Sequence, residues 1–186
     1  MAEYNAQEKD SLLRLARESI AYGIIHHTPM PLNLSTYTEH LLQTRACFVT
    51  LHLNGQLRGC IGSLMAFNPL VADVVQNAFN AAFKDPRFAP VAAAEVPDLT
   101  LDISVLSKPE PLHVASEADL LQKLRPGIDG LILSDKGHQA TFLPSVWEQL
   151  PNATDFVIHL KNKAGWPSNY WSDTMTVATY TSELIS

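Results

Sequence analysis

The chain has 186 residues, 46% hydrophobic and 17% charged, which supplies enough apolar material for a sizeable core and excludes a disordered tail. A net charge of −6, with 13 Lys and Arg scattered singly, leaves no basic stripe for a phosphate backbone, so no nucleic-acid partner is expected. Apolar runs are broken too early for a transmembrane helix, the N-terminus lacks the basic-then-apolar pattern of a secretory signal, and there are only 2 cysteines, Cys47 and Cys60. Together these point to a cytoplasmic protein with free thiols.

In chain order, Leu12, Leu13, Ala16, Ile20, Ile24 and Ile25 recur at helical spacing and predict an amphipathic helix over about 5–27, opened by an Asn5/Glu8 capping box. Gly23 weakens its last turn, and Pro29 and Pro31 end it. Ser35 is the expected cap of a short helix over 38–43. Two β-rich runs, Phe48 to Leu53 and Gln56 to Ile61, flank Asn54-Gly55, a pair that takes the positive φ angles of a type I′ hairpin turn cheaply. Counted outward from that turn, Leu53 pairs with Gln56, Leu51 with Arg58 and Val49 with Cys60, placing Val49, Leu51, Arg58 and Cys60 on one face and His52 on the other.

Asn68-Pro69 then signals a helix start, with the apolar stripe Leu70, Val71, Val74, Val75, Ala78, Phe79, Ala82 and Phe83 behind it and Pro86 as its stop. Leu99, Leu101, Ile103 and Val105 alternate as in a half-buried strand. Ser116 caps a helix to about Leu124. Leu131 to Leu133 and Gln139 to Phe142 form a second hairpin around Asp135-Lys136-Gly137. Pro144 starts a short helix carrying Trp147, a further helix runs to Ala164 with Gly165 as terminator, and Met175 to Thr181 is the last strand. No dinucleotide or Walker motif follows a strand. The fold class is α+β, an antiparallel sheet covered by helices, and the whole chain is one domain of two lobes sharing a core.

Chemistry concentrates in Leu57-Arg58-Gly59-Cys60-Ile61-Gly62. Glycine inside a strand marks a bulge or the close approach of a ligand or backbone. Arg58, two residues from Cys60, would favour its thiolate. Cys60 is either a nucleophile, redox thiol or attachment site, or a small core residue. Asp85 sits at a helix C-terminus, where negative charge is disfavoured, so Arg87 or a ligand should compensate. That pair either lines a pocket for a polar group or forms a locally paired turn. No His spacing suits a metal, and His138, at the second turn, is the one histidine proposed as an acid/base partner. Trp147, Trp166 and Trp171 read as packing, with 165–171 an aromatic wall only where exposed.

These residues resemble the signature of the AMMECR-type domain family. Phe48-Val49-Thr50-Leu51, Asp85-Pro86-Arg87-Phe88, Ser104-Val105-Leu106, Gly130-Leu131-Ile132-Leu133, Phe142-Leu143-Pro144-Ser145-Val146 and Lys163-Ala164-Gly165 follow in the family's order. Thr44-Arg45-Ala46-Cys47 departs from the family's smaller, often Gly-containing lead, which leaves Cys47 outside the resemblance. The resemblance implies a larger and a smaller lobe with a cleft near the signature. It marks Arg58 and Cys60 as catalytic candidates and Gly59, Gly62, Asp85 and Arg87 as binding candidates, with His138 beside them from the residue reading. No cofactor or metal is implied. Prokaryotic members resemble protein A of the AmmeMemoRadiSam system, encoded beside a Memo-like protein and a radical SAM enzyme, which implies those two as partners. The expected function is action with them through a Cys60 cleft, or else a non-catalytic module that presents a substrate or partner.

Overall fold

Residues 3–186 are described by a computed structural model, an α+β arrangement with two four-stranded sheets rather than one. It divides into two compact units, residues up to 106 with 183–186, and residues 107–182. The buried apolar side chains collect in two clusters, one within each unit.

In the larger unit, helix α1 spans Ala6–His26. The capping box forms as expected: Asn5 Oδ1 accepts from Glu8 N–H and Glu8 Oε2 accepts from Asn5 N–H, both at 3.0 Å. Gly23 does not end the helix. His27 does, in the left-handed region at φ 56°. Gly23 is instead a notch, because a Cβ there would run into the rings of Phe79 and Phe83 on helix α2, Leu70–Phe83. The helix expected over 38–43 is absent; Asn33 caps a single 3-10 turn, Leu34–Thr36, by accepting from Ser35 N–H at 3.2 Å. Asn68 likewise does not cap α2. The N–H groups of Leu70 and Val71 donate to the carbonyls of Gln43 and Leu41, so a neighbouring loop does the work of a cap.

The first sheet has the order β2-β1-β3-β8, with β1 at Cys47–Leu53, β2 at Gln56–Gly62, β3 at Leu99–Leu106 and β8, unanticipated from the sequence, at Ser182–Ile185. Asn54 (φ 52°) and Gly55 (φ 76°) make the expected turn, and Leu53 pairs with Gln56. Beyond it the register slips. His52 pairs with Leu57 but Leu51 pairs with Gly59, so Arg58 is an extra residue bulged out of β2. The buried face of the sheet carries Val49, Leu51, Leu101, Ile103 and Val105, packed in one cluster with the buried stripes of α1 and α2.

In the smaller unit the sheet order is β4-β7-β5-β6, with β4 at Glu110–Pro111, β5 at Gly130–Asp135, β6 at His138–Phe142 and β7 at Thr176–Tyr180. Helix α3, Glu117–Lys123, is capped by Ser116 as expected, and α4, Ala153–Lys163, is capped by Asn152 and closed by Gly165 at φ 85°. Trp147 stacks on Phe156 at 3.8 Å, and Trp166 is buried against Tyr170. The tryptophans therefore pack, and 165–171 forms no exposed aromatic wall. Lys161, fully buried on α4, gives both carboxylate oxygens of Glu117 a hydrogen bond at 2.8–2.9 Å.

Candidate thiol site

The bulge at Arg58 decides where Cys60 points. A β-strand alternates faces with a period of two, so one extra residue moves everything beyond it to the opposite face. Cys60 consequently pairs with Thr50 rather than Val49, and its side chain joins the half-buried outer face instead of the apolar one. Thr50 Oγ1 donates to Cys60 Sγ at 3.2 Å. The expected placement of Arg58 on one face with Cys60 is thereby corrected.

Arg58 turns outward from β2. Its Nε and Nη2 donate to the two carboxylate oxygens of Glu95 at 2.8 and 3.0 Å, and Nη1 donates to the Ala89 carbonyl at 2.9 Å. The Arg58 guanidinium, helped by the Ala92 N–H, holds the Glu95 carboxyl below its ordinary range. Arg58 thus ties β2 to the segment before β3, and its charge is spent there.

Each glycine of the signature has a packing reason. A Cβ on Gly59 would collide with the Ala81 carbonyl of α2, and one on Gly62 with the Phe48 ring. Both spaces are filled by the protein's own atoms, so neither glycine is leaving room for a ligand.

Asp85 and Arg87 clasp the free edge of β2, the outermost strand of its sheet. Asp85 Oδ2 accepts from the Cys60 N–H at 2.9 Å, and Arg87 Nη2 donates to the Cys60 carbonyl at 3.3 Å. Asp85 also accepts from Arg87 Nε at 3.0 Å, Nη2 at 2.7 Å and the backbone N–H at 3.1 Å. The turn supplies what a further strand would supply, which blunts the edge. The Arg87 guanidinium above all, with the two backbone N–H donors, holds the buried Asp85 carboxyl well below the usual carboxylate range. In return Asp85 above all keeps Arg87 charged. The guanidinium that touches Cys60, through its backbone carbonyl, is therefore that of Arg87.

His138 belongs to the smaller unit, where its Nδ1 lies 3.2 Å from the Ala164 carbonyl and its ring 6.2 Å from that of Trp166. Cys47 is fully buried, and burial above all, with Asp73 adding to it, pushes its thiol far up. It is an inert thiol. A pocket of about 290 Å³ in the larger unit lies between Arg17, Ile20 and Ala21 of α1 and residues 96–101, and no signature residue lines it.

The AMMECR1 family model matches residues 13–185. The chain belongs to the AMMECR1 family. A protein of Methanothermobacter thermautotrophicus is 40% identical over 135 residues, covering 72% of this chain and 70% of that one. A protein of Thermococcus gammatolerans is 34% identical over 184 residues, covering 93% and 87%. The crystal structure of an uncharacterised protein from Pyrococcus horikoshii superposes with a TM-score of 0.81 at 30% identity, covering 95% of this chain and 89% of that one. Two groups of this AMMECR1-family chain escaped the sequence analysis, Thr50 and the pair His52/Asp102, whose Nδ1 and Oδ2 stand 3.6 Å apart. The sequence signal for both is Gly59 beside Arg58, because a glycine inside a strand marks a bulge and a bulge reverses the faces beyond it.

Proposed function

We propose that this chain is a thiol protein that works through the outer face of its first sheet, with Cys60 at the centre, in a reducing cytoplasm and in company with Memo-like and radical SAM partners. One observation carries this reading. The fold uses the backbone of Cys60, the side chain of Arg58 and the bare backbones of Gly59 and Gly62, but leaves the Cys60 sulfur half-buried with a single hydroxyl donor. A thiol near a guanidinium and off the apolar core is the microenvironment in which thiolate chemistry occurs.

Iodoacetamide labelling with peptide mapping tests it, because Cys47 is an internal buried control. Cys60 should be modified about tenfold faster at pH 7 than a free-cysteine peptide, and Cys47 not at all before unfolding. A Cys60 rate at or below that of the peptide would overturn the reading.

A second reading, a non-catalytic presenting module, is favoured by the segment directly after β2, where Leu64, Met65 and Phe67 are 43%, 53% and 78% exposed. Partner association measured by calorimetry separates the two. The module reading expects Cys60→Ser to bind a Memo-like partner normally and a Met65→Ser/Phe67→Ser double variant to lose binding.

A further inference from the structure

The same bulge that takes Cys60 off the apolar face brings it onto the face of His52. Thr50 stands between Cys60 on β2 and Asp102 on β3, paired with both, so the three side chains form a row across the sheet. His52, two residues along β1, projects from that same face and sits diagonal to both ends of the row. Diagonal neighbours on antiparallel strands lie about 7–8 Å apart at Cα and somewhat less at Cβ, within reach of a histidine ring. At the other end of the row, His52 Nδ1 faces Asp102 Oδ2 at 3.6 Å, and both side chains are about a third exposed, at 30% and 31%.

We propose that His52, oriented by Asp102, is the proton acceptor of Cys60, so that the outer face of the sheet carries a nucleophile of the thiol–imidazole–carboxylate kind. The inference rests on the reading of Cys60 as the working thiol and adds the groups that would activate it. A base within reach of the nucleophile and itself oriented by a third group is the arrangement that activates a thiol. Asp102 Oδ2, 3.6 Å from Nδ1, stands on the side that would hold the Nδ1–H tautomer once the pair closes to hydrogen-bond distance, leaving Nε2 to take the proton.

The step balances without a further reagent. The Cys60 S–H proton passes to His52, the sulfur forms a bond to an electrophilic carbon, and the bond from that carbon to its leaving group breaks. The leaving group keeps the electron pair and takes the proton back from the imidazolium. Thr50 holds the sulfur through its hydroxyl. Arg87 sets the class of electrophile. Its Nε and Nη2 are engaged by Asp85 and the Cys60 carbonyl, while Nη1 has no protein acceptor among the described residues. The substrate is accordingly an activated acyl or alkyl compound bearing an anionic group.

Among the described residues, the charged and titratable groups that the register sets around His52 are Asp102 from β3 and Cys60 from β2, with Arg87 beyond Cys60 and the bulged Arg58, paired with Glu95, beside Leu57. Leu57 and Thr100, directly opposite His52 on either side, carry no charge. The buried stripes of α1 and α2 pack on the opposite face of the sheet.

Iodoacetamide and iodoacetate test both parts, since they share one chemistry and differ in charge. Cys60 alkylation followed from pH 4 to 10 should show a step between about pH 5 and 8, the range in which imidazoles titrate. That step should vanish in His52→Gln, with about a tenfold loss of rate at pH 7, and weaken in Asp102→Asn. The rate ratio of iodoacetate to iodoacetamide should exceed that of a peptide thiol and fall towards it in Arg87→Gln. As a measurement that needs no variant of the base itself, the NMR titration midpoint of His52 should shift in Cys60→Ser.

A fast Cys60 whose rate–pH curve is unchanged in a folded His52→Gln protein, or a His52 midpoint indifferent to Cys60→Ser, overturns the inference and leaves the thiol reading intact. An iodoacetate ratio equal to the peptide's overturns the anionic substrate class. A wild-type Cys60 no faster than a peptide thiol overturns the thiol reading, and the base with it.

Discussion

The two hairpins of this chain begin alike and end differently. Each closes with a two-residue turn at positive φ, Asn54-Gly55 in one and Lys136-Gly137 in the other. The β5–β6 ladder then runs without a slip, from Asp135 opposite His138 to Leu131 opposite Phe142, and its alternation places Leu131 and Leu133 in the core. The β1–β2 ladder slips after a single regular step beyond the turn, and its reactive residue crosses to the outer face. Turn chemistry therefore sets where a hairpin starts, while a contact from outside the hairpin decides which way its residues face.

The contact is Gly59 against Ala81. Gly59→Val is expected to have the largest effect, because the collision is with backbone that cannot swing aside. The cost is about 3 kcal/mol or more, read as loss of the folded baseline in urea melts. A well-folded Gly59→Val protein would mean that the bulge does not depend on this close approach.

Removing the edge clasp comes next. Asp85→Ala leaves the Cys60 N–H without its acceptor and Arg87 without its partner. A loss of about 2 kcal/mol follows from the stranded donors, with faster amide exchange at Cys60. Unchanged exchange there would show that the clasp does not hold the edge.

Gly137→Ala in the regular hairpin is a smaller perturbation. Its φ of 83° strains any side chain, yet nothing lies within 4 Å of the added carbon. About 1 kcal/mol is expected, with Ala140 and Leu133 still buried.

Acid separates the two regions more finely. Asp135 is buried and held at about 2 by the hydroxyls of Thr174, Tyr170 and Ser172 in that order, whereas Asp85 is held down chiefly by the Arg87 guanidinium. Both carboxyls lie below their unfolded value of about 3.9. Their stabilisation is therefore complete above that pH, and it is lost as pH falls: for Asp135 between about 4 and 2. Melting temperatures in this range should drop less steeply in Asp135→Asn and in Asp85→Asn than in the parent. Added salt should narrow the difference at Asp85, whose Arg87 partner is half exposed, and leave that at Asp135 unchanged.

Much of the fold was legible. The Asn5/Glu8 box, the Asn54-Gly55 turn, the α2 stripe, the alternation of β3, Ser116 as a cap and Gly165 as a terminator are rules that a few neighbouring residues satisfy among themselves. The misses share the opposite property. The Asn68 cap failed because the carbonyls of Gln43 and Leu41, far earlier in the chain, already accept from the first N–H groups of α2, and the 38–43 stretch that supplies them is a turn rather than a helix. The Asp85/Arg87 pair was foreseen, but its attachment to the backbone of Cys60 was not, since Asp85 lies 25 positions along the chain from Cys60.

The identity of the signature, the turns and the helix faces came from the sequence alone, because each follows from torsional preference or periodicity within a short stretch. The direction of the Cys60 sulfur, the removal of Arg58 to Glu95 and the meeting of Cys60, Thr50, His52 and Asp102 on one surface came only with the tertiary structure. A strand's alternation is equally regular in either register. In the register found, Gly59 rather than Arg58 meets the carbonyl of Ala81, delivered by a helix packed across the sheet, a contact that no short stretch of sequence contains.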